Sequence, residues 1–150
     1  MAATLQDVRR LVDADHGLAT LATTRRDGSV QVSLVNAGIL AHPVSGAAVV
    51  GLVARGGTVK LGHIRERPRA SVTWRYGWDW ICVEGPVELA GPDDPPAGMD
   101  PARLATLLRE VFRGAGGTHD DWQTYDRVMA AERRTAVLIA PARVYGNPAT

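Results

Sequence analysis

The sequence predicts a mainly β, α+β domain in which six antiparallel strands form a closed or nearly closed barrel with helices at its edges. Three observations predict it. Apolar residues make up 45% and charged residues 22% of the 150, a globular balance that implies one folded core spanning 1–150. Asp27-Gly28 separates two β-compatible runs, the strongest short hairpin signal. Five of the six strand-like runs precede the two long helical stretches, whereas a parallel α/β sheet would alternate strand with helix.

Thr4 and Asp7 stand at capping-box spacing, and Leu5, Val8, Leu11 and Val12 follow as one helical stripe, so a short amphipathic helix opens the chain and ends near Gly17. Strands are expected over 18–24 and 29–35, joined by the turn 25–28. A break over 41–46 with Pro43 and Gly46 leads to a buried-looking strand over 47–53. Arg55-Gly56-Gly57-Thr58 ends it, and 59–67 reads as a helix stopped by Pro68. Strands over 70–75 and 80–90 are broken at Tyr76-Gly77-Trp78-Asp79. The segment 91–98, with three prolines and two glycines, is a loop. Helices over 100–113 and 120–133 flank Gly114-Ala115-Gly116-Gly117, a last strand covers 135–140, and 144–148 is read as a tail.

Composition excludes several functions. Seventeen Lys+Arg against sixteen Asp+Glu leave a net charge of +1, with no basic stripe for nucleic acid or an anionic membrane. The longest apolar run, about 47–54, is far short of the ~18 residues of a membrane span. Cys82 is the single cysteine, which forbids an internal disulfide and every multi-cysteine zinc pattern. With no secretory leader pattern at the start, a reducing, cytoplasmic setting is the expectation.

Lys60 is the sole lysine and falls in the first turn of the 59–67 helix, whose cap is expected to be Thr58. A cation there faces the positive end of the helix dipole and forfeits about 0.3–1 kcal/mol unless an anion joins it. Arg55, Gly56, Gly57, the Thr58 hydroxyl and the amides from Val59 onward would together cradle a phosphate. A solvated lysine at a loop–helix junction is the plain alternative. Four of the eight aromatics, Trp74, Tyr76, Trp78 and Trp80, recur at period two, and Trp78 with Trp80 would offer a flat wall to a planar ring or to another subunit. His16, His42, His63 and His119 show no metal-ligand spacing, so no metal is expected. Ser33 lacks a nucleophile elbow and Cys82 lies mid-strand, which leaves hydrolysis unsupported. Glu84 and Glu88 read as a solvated strand face, and Arg133 and Arg134 as cations suited to a helix C-terminus, with anion contact as the second reading.

The stretch Leu21-Ala22-Thr23-Thr24-Arg25-Arg26-Asp27-Gly28 with Gln31-Val32-Ser33 resembles the first hairpin of the pyridoxamine 5'-phosphate oxidase-like split β-barrel family. Lys60, the run Ile64 to Val72, Gly77-Trp78, Glu84-Gly85 and Val144-Tyr145-Gly146 resemble its actinobacterial branch that uses the deazaflavin coenzyme F420. The resemblance covers nearly the whole chain. It implies an FMN-binding type of split barrel, and a homodimer with two cofactor sites at the interface. It assigns Lys60 and the Arg55–Thr58 loop to the cofactor phosphate, and Ser33 and Asn36 to the neighbourhood of the ring. Trp78, Trp80 and Arg134 would come from the partner chain. Thr58 stands where close family members often carry Arg, so Arg55 is the alternative supplier of that contact.

The function implied is hydride transfer between F420 and a small electron-poor unsaturated substrate, with the cofactor carrying the hydride and the protein positioning it. The nearest alternative is an FMN-dependent oxidoreductase or flavin reductase on the same barrel. A third is a non-catalytic protein that stores or delivers a flavin-like, F420 or tetrapyrrole ligand.

Overall fold

The computed structural model describes residues 2–148. Helix α1 (Leu5–Ala14) begins at the expected capping box: the Thr4 hydroxyl accepts from the Asp7 amide at 3.3 Å and the Asp7 carboxylate accepts from the Thr4 amide at 2.9 Å. Its stripe of Val8, Leu11 and Val12 is buried. Strands β1 (Leu18–Thr24) and β2 (Val30–Ala41) form the Asp-Gly hairpin, and β3 (Ala48–Ala54) follows. Helix α2 (Val59–Glu66) precedes β4 (Arg69–Tyr76) and β5 (Asp79–Ala90). Helices α3 (Pro101–Gly114) and α4 (Trp122–Ala131) come next, then β6 (Thr135–Ile139) and β7 (Arg143–Asn147).

The order β4-β1-β2-β3-β6-β5, closed by β5 on β4, is the six-stranded antiparallel barrel the sequence predicts. Two strands are longer or more numerous than predicted. Strand β2 does not stop at Val35: Val30–Asn36 pair with β1, then Ala37–Ala41 bend onto β3, so one strand serves both halves of the barrel. The segment read as a tail is the seventh strand, for Arg143–Asn147 pair with Trp80–Glu84 of β5. Between those pairs and the β5–β6 ladder, Gly85 and Pro86 face Ala140, Pro141 and Ala142, a bulge of one residue that bends the chain. A Cβ at Gly85 would fall inside the Ala140 carbonyl, so only glycine permits this bend.

The barrel core is built on Leu21, Leu52, Leu61, Ile64, Trp74 and Ile81, all nearly inaccessible. Trp74 is wholly buried and its indole N–H donates to the Ala37 carbonyl at 2.9 Å, at the point where β2 changes partners. A second cluster (Leu107, Leu108, Val111, Tyr125 and Leu138) seats α3 and α4 on the outside of β3 and β6. On the outer face of β2 the alternation leaves Val30, Val32 and Leu34 at 55%, 60% and 69% exposure.

Candidate functional site

Three elements bring the site together. Helix α2 is fixed by Leu61 and Ile64 in the core, by the pair Thr23 Oγ1 and His63 Nδ1 at 3.1 Å, and by Arg67 Nε donating to the Thr24 carbonyl at 2.8 Å. The loop before α2 rests on the α4–β6 connection: the Gly56 amide donates to the Glu132 carbonyl at 3.1 Å, and a Cβ at Gly56 would lie 2.7 Å from Arg133. Gly57 takes φ +78°, which turns the chain into the helix. This docking carries Glu132 and Arg134 to the start of α2.

Thr58 is the N-cap residue, as expected, yet its hydroxyl does not cap the helix. It donates instead to the Arg55 carbonyl at 3.0 Å. The amides of the first turn of α2 therefore lack a side-chain partner, and no acid stands in that turn. Lys60 is half-buried there. Burial, and next the charge of Arg134, hold its ammonium below the usual lysine range. Among the described residues Lys60 makes no ion pair. Arg134 reaches Glu132 at 2.9 Å and Arg55 reaches the same carboxylate at 4.0 Å, so two arginines share one acid and Lys60 stands outside the pair.

These groups line a cavity of about 390 Å³ between the barrel and the α3–α4 hairpin. Asn36, Arg55, Thr58, Lys60 and Arg134 all contribute to it, and Val59 opens the helix beside it. The Asn36 side-chain amide donates to the His16 carbonyl at 2.9 Å, which fixes its orientation at the cavity edge. Arg134, assigned by the resemblance to a partner chain, lines the cavity of its own chain because α4 returns to β6 next to α2. Ser33 sits opposite Leu21 in the β1–β2 ladder and does not line this cavity.

Trp78 and Trp80 stand elsewhere. Tyr76 pairs with Asp79, so Gly77-Trp78 is a two-residue turn that leaves Trp78 92% exposed. The turn also breaks the period-two pattern, since Trp74 points into the core while Trp80 faces out against Tyr145, edge to face at 6.3 Å. Both indoles line a wider groove of about 830 Å³ on the outer sheet face with Leu18, Thr20 and Arg75. Leu34 borders groove and cavity alike.

Phe112, Tyr125 and Met129 complete the cavity wall and are absent from the sequence reading. In sequence they are indistinguishable from the core stripe of two amphipathic helices. The Tyr125 hydroxyl donates to the Leu108 carbonyl at 3.1 Å, and burial pushes its pKa up to about 12, so it stays neutral. Chemically the cavity combines a cluster of cations with an apolar, aromatic wall, the pairing suited to a phosphorylated planar ring. No group of three or more potential metal ligands occurs among the described residues, and no described helix is long and apolar enough to cross a membrane.

No family model matches the chain. Solved structures do. A conserved hypothetical protein from Mycobacterium tuberculosis aligns at 20% identity with a TM-score of 0.64, covering 97% of this chain and 84% of the other. A pyridoxamine 5'-phosphate oxidase-related, FMN-binding protein from Nostoc punctiforme aligns at 14% identity and TM-score 0.63, over 93% and 78% of the two chains. An F420 reductase aligns at 16% identity and TM-score 0.55, over 85% and 87%. At these identities the likeness is one of fold: the chain folds as the split barrel of FMN-binding proteins.

Proposed function

We propose that this split barrel is an F420-dependent oxidoreductase that transfers a hydride between the deazaflavin and a small electron-poor unsaturated substrate. The observation that carries the proposal is Lys60: a half-buried ammonium without an ion pair among the described residues, at the start of α2, where no side chain caps the helix, beside Arg134. That corner fits the cofactor phosphate. Lys60, Arg134 and Arg55 supply charge, and the amides of Val59 and its neighbours supply donors along the helix dipole. Thr58 serves through its backbone, its hydroxyl proton being engaged by Arg55.

Asn36, held by His16, presents its remaining polar atoms to the ring, whereas Ser33, three residues earlier on β2 and on its other face, lies outside this cavity. Trp78 and Trp80 reach the ring from a second copy of the chain in a homodimer. The exposed Val30, Val32 and Leu34 stripe and the nearly bare Trp78 support this assembly, being apolar surface in want of a cover. When bound, the reduced cofactor supplies a hydride to one carbon of the substrate double bond, a solvent proton completes the other carbon, and the cofactor is left oxidised.

FMN in the same corner is the second reading, favoured by the FMN-binding neighbour from Nostoc punctiforme. Parallel titrations separate the two. Quenching of F420 fluorescence at micromolar protein, with reduction of a cyclic enone by reduced F420, is the expected result. A yellow protein as purified, with FMN binding and none of F420, transfers the site to FMN. Tight binding of either with no turnover of enones or quinones makes the protein a carrier.

A further inference from the structure

Met129 and Arg134 wall two cavities at once. Beyond them lies a second pocket, of about 180 Å³, between α3, α4 and the loop 91–98. Leu104, Leu108 and Met129 are its inner side chains, and Pro92, Pro101 and Ala130 stand exposed at its rim. The pocket exists because small residues meet across the helix pair: Ala105 on α3 and Ala130 on α4 leave room that larger side chains would fill.

Most of the lining is apolar, and its two charged residues are both paired: Arg134 reaches Glu132 at 2.9 Å. Its acid, Asp126, is engaged by Arg109 through Nε at 2.9 Å and a second guanidinium contact, so no free carboxylate faces the space. The loop above is pinned. Arg65 Nε holds Asp94 at 2.9 Å, Arg133 pairs with Asp93, and Gly91 and Asp94 exchange backbone hydrogen bonds at 3.1 and 3.2 Å. The stretch 91–94 is thus held in place, and it reaches the pocket through Pro92.

An engineered apolar cavity of ~150 Å³ takes up benzene, whereas whole drug-sized ligands need roughly 300–1,000 Å³. A pocket of about 180 Å³ therefore holds one ring or a short alkyl arm of a larger molecule. The pocket and the candidate cofactor cavity share Met129 and Arg134, so the two lie side by side.

We propose that this pocket receives the neutral hydrocarbon arm of the hydride acceptor, and that Met129 determines how long an arm fits. Methionine suits that role, since its unbranched thioether repacks around different shapes. The substrate class is then an unsaturated carbonyl compound bearing a ring or short alkyl chain and no charge on that arm. The pocket's apolar character stands on its own, while assigning the arm to a hydride acceptor rests on the oxidoreductase reading.

The test needs no cofactor. The unliganded full-length protein is titrated with methyl ketones from butan-2-one to nonan-2-one while the methyl NMR signals of Leu104, Leu108 and Met129 are followed. Those signals shift, and affinity rises about threefold to fourfold per added methylene until the pocket is full. Ala105→Phe, which fills the pocket, abolishes the dependence on chain length and leaves F420 or FMN affinity unchanged. Met129→Ala moves the plateau to longer ketones. Flat affinity across the series in the unmodified protein, or length dependence that survives in folded Ala105→Phe, overturns the proposal. Failure of the protein to bind either cofactor overturns the oxidoreductase reading instead, and leaves the ketone series to decide the pocket.

Discussion

Lys60 shows how a local electrostatic mismatch becomes a functional statement. Its position at the start of α2 was legible in the sequence because Gly56, Gly57 and Thr58 announce a helix start and the chain holds no other lysine. Replacing Lys60 by Ala is expected to weaken the bound cofactor by about 1.5–3 kcal/mol, the scale of a charge-assisted hydrogen bond, and a titration of the variant measures it. Protonation gives an independent check. Burial lowers the Lys60 pKa and an anion beside it restores the ammonium, so binding on the alkaline side takes up a proton and affinity falls as pH rises. Calorimetry in buffers of different ionisation enthalpy reads that uptake. Tyr125 carries the opposite legibility, since nothing in sequence separates it from core. Its pKa is raised from 10.0 to about 12, so the folded state holds the proton more tightly. The contribution of Tyr125 to stability is full below about pH 10 and is lost as pH rises toward about 12. Tyr125→Phe removes that alkaline decline while losing ~0.5–1.5 kcal/mol for the hydrogen bond to Leu108, both measurable by denaturant titration at two pH values.

At the scale of elements, the strands with clear turn signals were readable and those made by a change of partner were not. Asp27-Gly28 marked the β1–β2 hairpin, but the run of β2 past Val35 carries no alternation, because from Ala37 to Ile39 it is buried by the second half-barrel and by α3. Strand β7 was hidden for a related reason. Pro141 looks like a terminator, whereas here it occupies a bulge, where a missing N–H costs no ladder bond. Gly85 makes that bulge possible. Gly85→Ala is expected to cost at least ~1–3 kcal/mol through backbone overpacking and to release β7. Hydrogen exchange at the β5–β7 amides checks it, with protection lost there first and the β1–β2 ladder retained.

For the whole molecule, the account requires two kinds of surface to meet. One is the cationic corner with its aromatic wall, complete within a single chain. The other is the outer sheet face, where Trp78 at 92% exposure and the β2 stripe await a cover. In the proposed homodimer, a charge placed on that stripe, as in Val32→Glu, is expected to shift the assembly from dimer to monomer in sedimentation. It should also weaken the cofactor, because the tryptophan wall leaves with the partner. Sequence patterning pointed to the Lys60 corner and to the Trp78–Trp80 face, yet it showed neither the aromatic wall, nor the β2 stripe, nor that Arg134 belongs to the first surface. That fact depends on the return of α4 to β6 beside α2, a tertiary arrangement with no local signature. The most direct test of the account is a crystal structure of the protein saturated with F420. It predicts the cofactor phosphate within hydrogen-bonding reach of Lys60 Nζ and the first amides of α2, and an oxyanion lodged anywhere else, with that corner left to solvent, contradicts it.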